Sequence, residues 1–106
     1  MELSEYQRRS RATAEYPREA WLAYPALGLA GEAGEVAEHV KKHLFHDYPL
    51  DRDAVVKELG DCLWYVAAMC TALGTSLDEV AAANIDKLRR RYPDGFSSER
   101  SLNRTE

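Results

Sequence analysis

Apolar residues recur along this chain at steps of three and four, and no strand pattern competes with them. Leu29, Ala33, Val36, Val40 and Leu44 fall on one helical face of the run LGLAGEAGEVAEHVKKHLF, which predicts a helix over residues 26–45. Upstream, residues 3–15 are mostly helix formers, and Pro17 disfavours helix at Tyr16. Asp47, Tyr48 and Pro49 then read as a turn, Asp51 as the N-cap of a third helix and Gly74 as its stop. Ser76 and Glu79 have capping-box spacing for a fourth helix that closes before Pro93. These signals predict an all-α, four-helix bundle occupying residues 1–93. A polar tail, 94–106, holds only Phe96 and Leu102 as large apolar residues. It is expected to be mobile, or ordered only by a partner subunit.

The third helix reads LGDCLWYVAAMCTAL over residues 59–73, apolar over far more than one stripe. Such a helix belongs at the centre of a bundle or in a subunit contact. An acid inside it, Asp61, has to be paired, protonated or bound to a cation, because a lone buried charge is very costly. With 106 residues the chain has room for one domain, and a domain this small buries a modest share of its surface. A homodimer or homotetramer that shares its core is therefore expected, with the third helix as the contact.

Composition narrows the function classes. A net charge of −4 argues against non-specific partnership with nucleic acid or an anionic membrane. The longest uncharged run, residues 62–77, falls short of the roughly 20 residues of a membrane span. The N-terminal residues carry acids and no apolar core, unlike a secretory leader. Cys62 and Cys70 lie eight positions apart, about 12 Å along one helix, too far for a disulfide. They read as buried thiols, and the expected location is the reducing cytoplasm.

The candidate chemistry lies in paired acids. Glu32 and Glu35 share one side of the second helix; Glu58 and Asp61 repeat that spacing on the third, and Tyr65 extends the stripe by a turn. If the two helices pack antiparallel, four carboxylates converge, and such a cluster calls for cations. All-oxygen ligation suits Mg²⁺, or Mn²⁺, better than zinc or copper. Gly31 and Gly34 flank the first pair at a helix-propensity cost of about 1 kcal/mol each, as expected where a helix or ligand comes close. On the fourth helix Asn84, Lys87 and Arg91 fall within about 60° of one another, a donor stripe suited to polyphosphate oxygens. Two other readings stand beside this one. His39, His43 and His46 share the Glu32 side of the second helix, a mixture reminiscent of di-iron bundles, although the Glu-x-x-His spacing of those bundles is missing. Alternatively the acids are independent surface groups on a non-catalytic dimerisation or adaptor module.

Three segments in order, GLAGEAGEVAEHVKK, KELGDCLWY and NIDKLRRRYPDGF, resemble the MazG-like nucleotide pyrophosphohydrolases of the all-α NTP pyrophosphatase superfamily. The likeness spans roughly residues 24–96. It implies Mg²⁺-dependent cleavage of the α–β phosphoanhydride of a nucleoside triphosphate to monophosphate and pyrophosphate, in nucleotide-pool housecleaning. By position it makes Glu32, Glu35, Glu58 and Asp61 metal ligands, and Tyr65, Asn84 and Lys87 phosphate contacts. Arg91 extends the phosphate stripe, Glu35 or Glu38 is the candidate general base, and Trp21, Tyr24 and Trp64 are candidates to stack on the base. Gly31 stands where many members carry a further Glu, as it does in the dCTP-pyrophosphatase-like branch.

Overall fold

A computed structural model describes residues 1–103. Five helices follow in order: α1 (Leu3–Ser10), α2 (Ala23–Phe45), α3 (Arg52–Ala72), α4 (Leu77–Arg91) and α5 (Ser98–Leu102). Single 3-10 turns at Arg11–Thr13 and Arg18–Ala20 lie between α1 and α2. There is no strand among the described residues, so the all-α expectation holds.

Local chemistry explains most boundaries. Asp51 caps α3 by accepting from the Ala54 amide at 3.1 Å, and Ser76 caps α4 by accepting from Glu79 N at 3.1 Å. Glu79 does not complete the reciprocal box; its carboxylate accepts from the Thr75 hydroxyl at 2.6 Å instead. Gly74, at φ 72°, ends α3 in the left-handed conformation, and Thr75 N reaches back to Cys70 O at 2.9 Å.

Three elements depart from expectation. α1 stops at Ser10 rather than near Glu15. The Ser10 hydroxyl donates to Gln7 O (2.7 Å) and the Thr13 hydroxyl to Ser10 O (3.2 Å), local bonds that compete with continued helix. α2 begins three residues early, at Ala23, because Pro25 sits in its first turn, where no helical amide bond is lost. The tail is not featureless: Ser97 caps the short α5 by accepting from Arg100 N, and Tyr92 and Phe96 pack at 5.2 Å before it. The last three tail positions, 104–106, lie outside the described residues.

α2 and α3 form a hairpin joined through a turn in which Asp47 adopts φ 58°. α1 packs on α3 and α4. The small core gathers Ala67, Cys70 and Leu77, with Tyr6 and Val66 against it. Gln7 of α1 pins the α3–α4 corner. Its amide nitrogen donates to Thr71 Oγ1 (3.1 Å) and Thr75 O (3.0 Å), and its Oε1 accepts from Leu77 N (2.8 Å). α4 consequently leaves α3 at a turn of 98°. The chain is open, with a radius of gyration of 16.8 Å against about 13 Å for a compact chain of this length. No single described helix is long and apolar enough to cross a membrane.

Candidate metal centre

The pairing of α2 with α3 sets the site. Gly28 meets Tyr65, and four residues later Glu32 meets Glu58 and Asp61, so the sequence numbers run in opposite senses and the helices are antiparallel. Glu32, Glu58 and Asp61 each offer a carboxylate oxygen, and these lie within 4.8 Å of one another. Among the described residues no histidine joins this group. His43 instead pairs its Nδ1 with Tyr48 O at 2.9 Å.

The cluster bears the electrostatic mark of crowded anions. A hydrogen bond shared with Glu58 pushes the Glu32 carboxyl up to about 7, helped by desolvation and by the charges of Glu58, Asp61 and Glu35. A shared proton relieves the repulsion here, since neighbouring carboxylates cannot all stay ionised at close range. Three hard oxygen donors at this spacing fit a divalent ion such as Mg²⁺ or Mn²⁺.

Above the acids lies a cleft of about 370 Å³ lined by Thr13, Tyr24, Glu32, Asp61, Trp64 and Tyr65. Trp64 is held by bonds from its indole N–H to Thr13 Oγ1 (2.9 Å) and Ser10 O (3.1 Å). The Arg11 guanidinium lies 5.4 Å from its ring centroid. Burial, the neighbouring Tyr24 phenol and the Glu32 and Asp61 charges raise the Tyr65 hydroxyl above its usual range, so Tyr65 remains a proton donor at neutral pH. An aromatic wall continues outward. Tyr24 stacks on Tyr16 at 4.5 Å and 13°, and Tyr16 meets Trp21 at 5.5 Å. A second cleft of about 540 Å³, lined by Tyr16, Arg18 and Trp21, lies at that end.

The other expected site residues are dispersed. Glu35 is exposed and outside the trio, though its charge reaches Glu32. Glu38 pairs with Lys41 (3.1 Å) and Lys42 (4.0 Å). The Lys41 hydrogen bond and the two ammonium charges hold Glu38 below the ordinary carboxylate range. Asp61 is exposed in the single chain rather than hidden among its apolar neighbours. Gly31 and Gly34 face open space; the close approach occurs at Gly28, where a Cβ would overlap the Tyr65 ring. The usable signal was register, since Gly28 lies one turn before Glu32 and Tyr65 one turn after Asp61. Thr13, Tyr16 and Arg11 carried no sequence signal, because they reach the site from an irregular segment.

Asn84, Lys87 and Arg91 lie on α4, away from the acids. Asp61 precedes the end of α3 by eleven positions and Asn84 follows the start of α4 by seven, about 16 Å and about 10 Å of helix. With the 98° turn between the axes, the stripe and the cluster stand on the order of 20 Å apart.

The family described as the MazG nucleotide pyrophosphohydrolase domain matches residues 24–96, which takes in both acidic pairs and the α4 stripe. The chain is also similar to the Gene 37 protein of Mycobacterium phage L5. The two are 41% identical over 78 residues, covering 70% of this chain and 68% of the phage protein. No solved structure gives a significant match.

Proposed function

Because this chain belongs to the MazG nucleotide pyrophosphohydrolase family, we propose that it hydrolyses the α–β phosphoanhydride of a nucleoside triphosphate, with Mg²⁺ or Mn²⁺ as cofactor. The products are nucleoside monophosphate and pyrophosphate, and the role is nucleotide-pool housecleaning. The convergence of Glu32, Glu58 and Asp61 beneath an aromatic cleft carries this reading. A non-catalytic adaptor has no use for three carboxylates crowded within 4.8 Å of one another.

Each group has a task. Glu32, Glu58 and Asp61 would hold the divalent ion, which would supply positive charge for the phosphate oxygens and lower the pKa of a bound water. The oxygen of a water forms the new bond to the α-phosphorus, the bond to the bridging oxygen breaks, and pyrophosphate leaves with that oxygen. Glu35, exposed outside the trio, would take the water's proton. Glu38 is the weaker candidate base, because its lysine partners hold its proton affinity down. Tyr65 donates its phenolic proton to a phosphate oxygen, and the Tyr24–Tyr16–Trp21 wall seats the base.

The test is a screen of canonical, deoxy and modified triphosphates with Mg²⁺, scored for monophosphate and pyrophosphate. Release of orthophosphate in place of pyrophosphate contradicts the reaction. Asp61→Asn and Glu35→Gln are expected to abolish turnover with the helical content intact, and full activity in both overturns the site.

A further inference from the structure

We propose that Arg11 is the anion grip of this site, a side chain that takes two oxygens of the substrate's β,γ-diphosphate on one edge of its guanidinium. The proposal rests on the reading of the acids as the centre of triphosphate hydrolysis, and adds a contact for the leaving group.

Arg11 opens the 3-10 turn that follows α1, and the residues around it tie its backbone to the cleft wall. The Trp64 indole donates to Ser10 O and to Thr13 Oγ1, which flank Arg11 in sequence. Trp64 and Thr13 both line the cleft above the acids. The Arg11 side chain, by contrast, is loosely held. Its guanidinium rests against the Trp64 ring, and Nη1 donates to the Tyr16 hydroxyl at 3.5 Å, the long limit of a hydrogen bond. Nε and Nη2 are shut off from water, and neither has a hydrogen-bond partner among the described residues. No carboxylate among the described residues pairs with this cation.

The donors left unmet identify the ligand. Nε–H and Nη2–H lie side by side on one edge of the planar guanidinium, a fork that matches two oxygens of one phosphate or carboxylate. A neutral acceptor, such as the edge of a nucleobase, satisfies those hydrogens and leaves a buried charge uncompensated; an anion satisfies both. In the neighbouring cleft the floor is Glu32 and Asp61, so the α-phosphate belongs beside the acids. The β,γ-diphosphate then carries the charge that still needs a cation. Arg11 does not itself line the cleft. To engage, its side chain pivots off Trp64 and exchanges a cation–π contact for a charge-assisted bidentate pair, the stronger of the two.

Calorimetric binding of inorganic pyrophosphate with Mg²⁺ tests this, with a nucleoside monophosphate as the second ligand. Arg11→Ala is expected to weaken pyrophosphate about 10- to 100-fold and to leave the monophosphate within about threefold. Arg11→Met keeps the stem against Trp64 and carries the same comparison if the alanine variant does not fold. Arg11→Lys restores the charge without the fork and is expected to recover only part of the affinity. In turnover, kcat/KM should fall by one common factor for every base. In Trp21→Phe protein the Trp64 emission should change when pyrophosphate is added, and the Arg11→Met substitution should abolish that change. Unchanged pyrophosphate affinity in both neutral variants overturns the proposal. So does a loss that falls on the monophosphate and varies with its base, which assigns Arg11 to the base edge. Equal losses for the two ligands make Arg11 a prop for Trp64 and overturn it as well. Wild-type protein inert toward every triphosphate that still grips pyrophosphate through Arg11 defeats the catalytic reading alone.

Discussion

Metal binding to the acidic trio should depend steeply on pH, because the ion has to displace the proton that Glu32 shares with Glu58. With the Glu32 carboxyl at about 7, roughly one molecule in eleven has the site fully ionised at pH 6 and about ten in eleven at pH 8. The apparent dissociation constant for Mg²⁺ or Mn²⁺ should therefore tighten about tenfold between these values and level off above. Binding at pH 6 should release close to one proton, and at pH 8 about a tenth of one. The same group sets the sign for stability without metal. Its folded-state proton affinity is raised, so its contribution is fully present below the ordinary carboxylate value near 4.5 and is lost as pH rises through about 7. The melting temperature of the metal-free protein should fall across that window, and Mg²⁺ should restore it. Isothermal titration calorimetry in two buffers of different ionisation enthalpy measures affinity and proton release together. An affinity independent of pH between 6 and 8, with no proton released at pH 6, would refute the shared-proton account.

Other outcomes follow from named contacts. Gly28→Ala drives a methyl into the Tyr65 ring and should cost about 1–3 kcal/mol, read as a lowered melting temperature with altered near-ultraviolet tyrosine dichroism; unchanged stability would show that the ring gives way freely. Gln7→Ala removes three hydrogen bonds at the α3–α4 corner, about 1 kcal/mol each, and should lower the melting temperature by roughly 10–20 °C. A shift under a few degrees would mean that the corner holds its angle without α1. Glu38→Gln breaks only exposed lysine pairs, so stability should change by less than about 1 kcal/mol and turnover by no more than a few-fold. A hundredfold fall in kcat would instead return Glu38 to the role of base.

What the sequence made legible was what short range decides. The Asp51 and Ser76 caps, the Gly74 stop and the end of α2 at Phe45 each depend on a few neighbouring residues. Helical phase likewise grouped Glu58 with Asp61 and put Tyr65 one turn on. Phase along one helix says nothing of the angle between two. Hence Glu32 could be matched to α3, but whether Glu35 also came within reach depended on how the helices cross. The separation of Asn84 and Lys87 from the acids is likewise set by a corner whose clamp, Gln7, lies some 70 positions upstream. Gly31 and Gly34 drew attention by flanking acids, while Gly28 performs the steric task because it alone faces a ring. The early end of α1 turned on two hydroxyls, Ser10 and Thr13, whose competition with the helix is a matter of a single rotamer each.

The Gln7 clamp has an entropic consequence. It ties residue 7 to residues 71, 75 and 77, spans of 64, 68 and 70 positions, and closing a ring of that size costs on the order of 4 kcal/mol in chain entropy. Three hydrogen bonds at about 1 kcal/mol each nearly offset that cost, leaving the contacts of Tyr6 with Ala67, Cys70 and Leu77 to tip the balance. The angle of α4 therefore rests on contacts that are far apart in sequence, whereas the hairpin with the three carboxylates closes through a short connection. The cation seat is thus set by short-range closure, and the arm that carries the basic stripe by a long-range one.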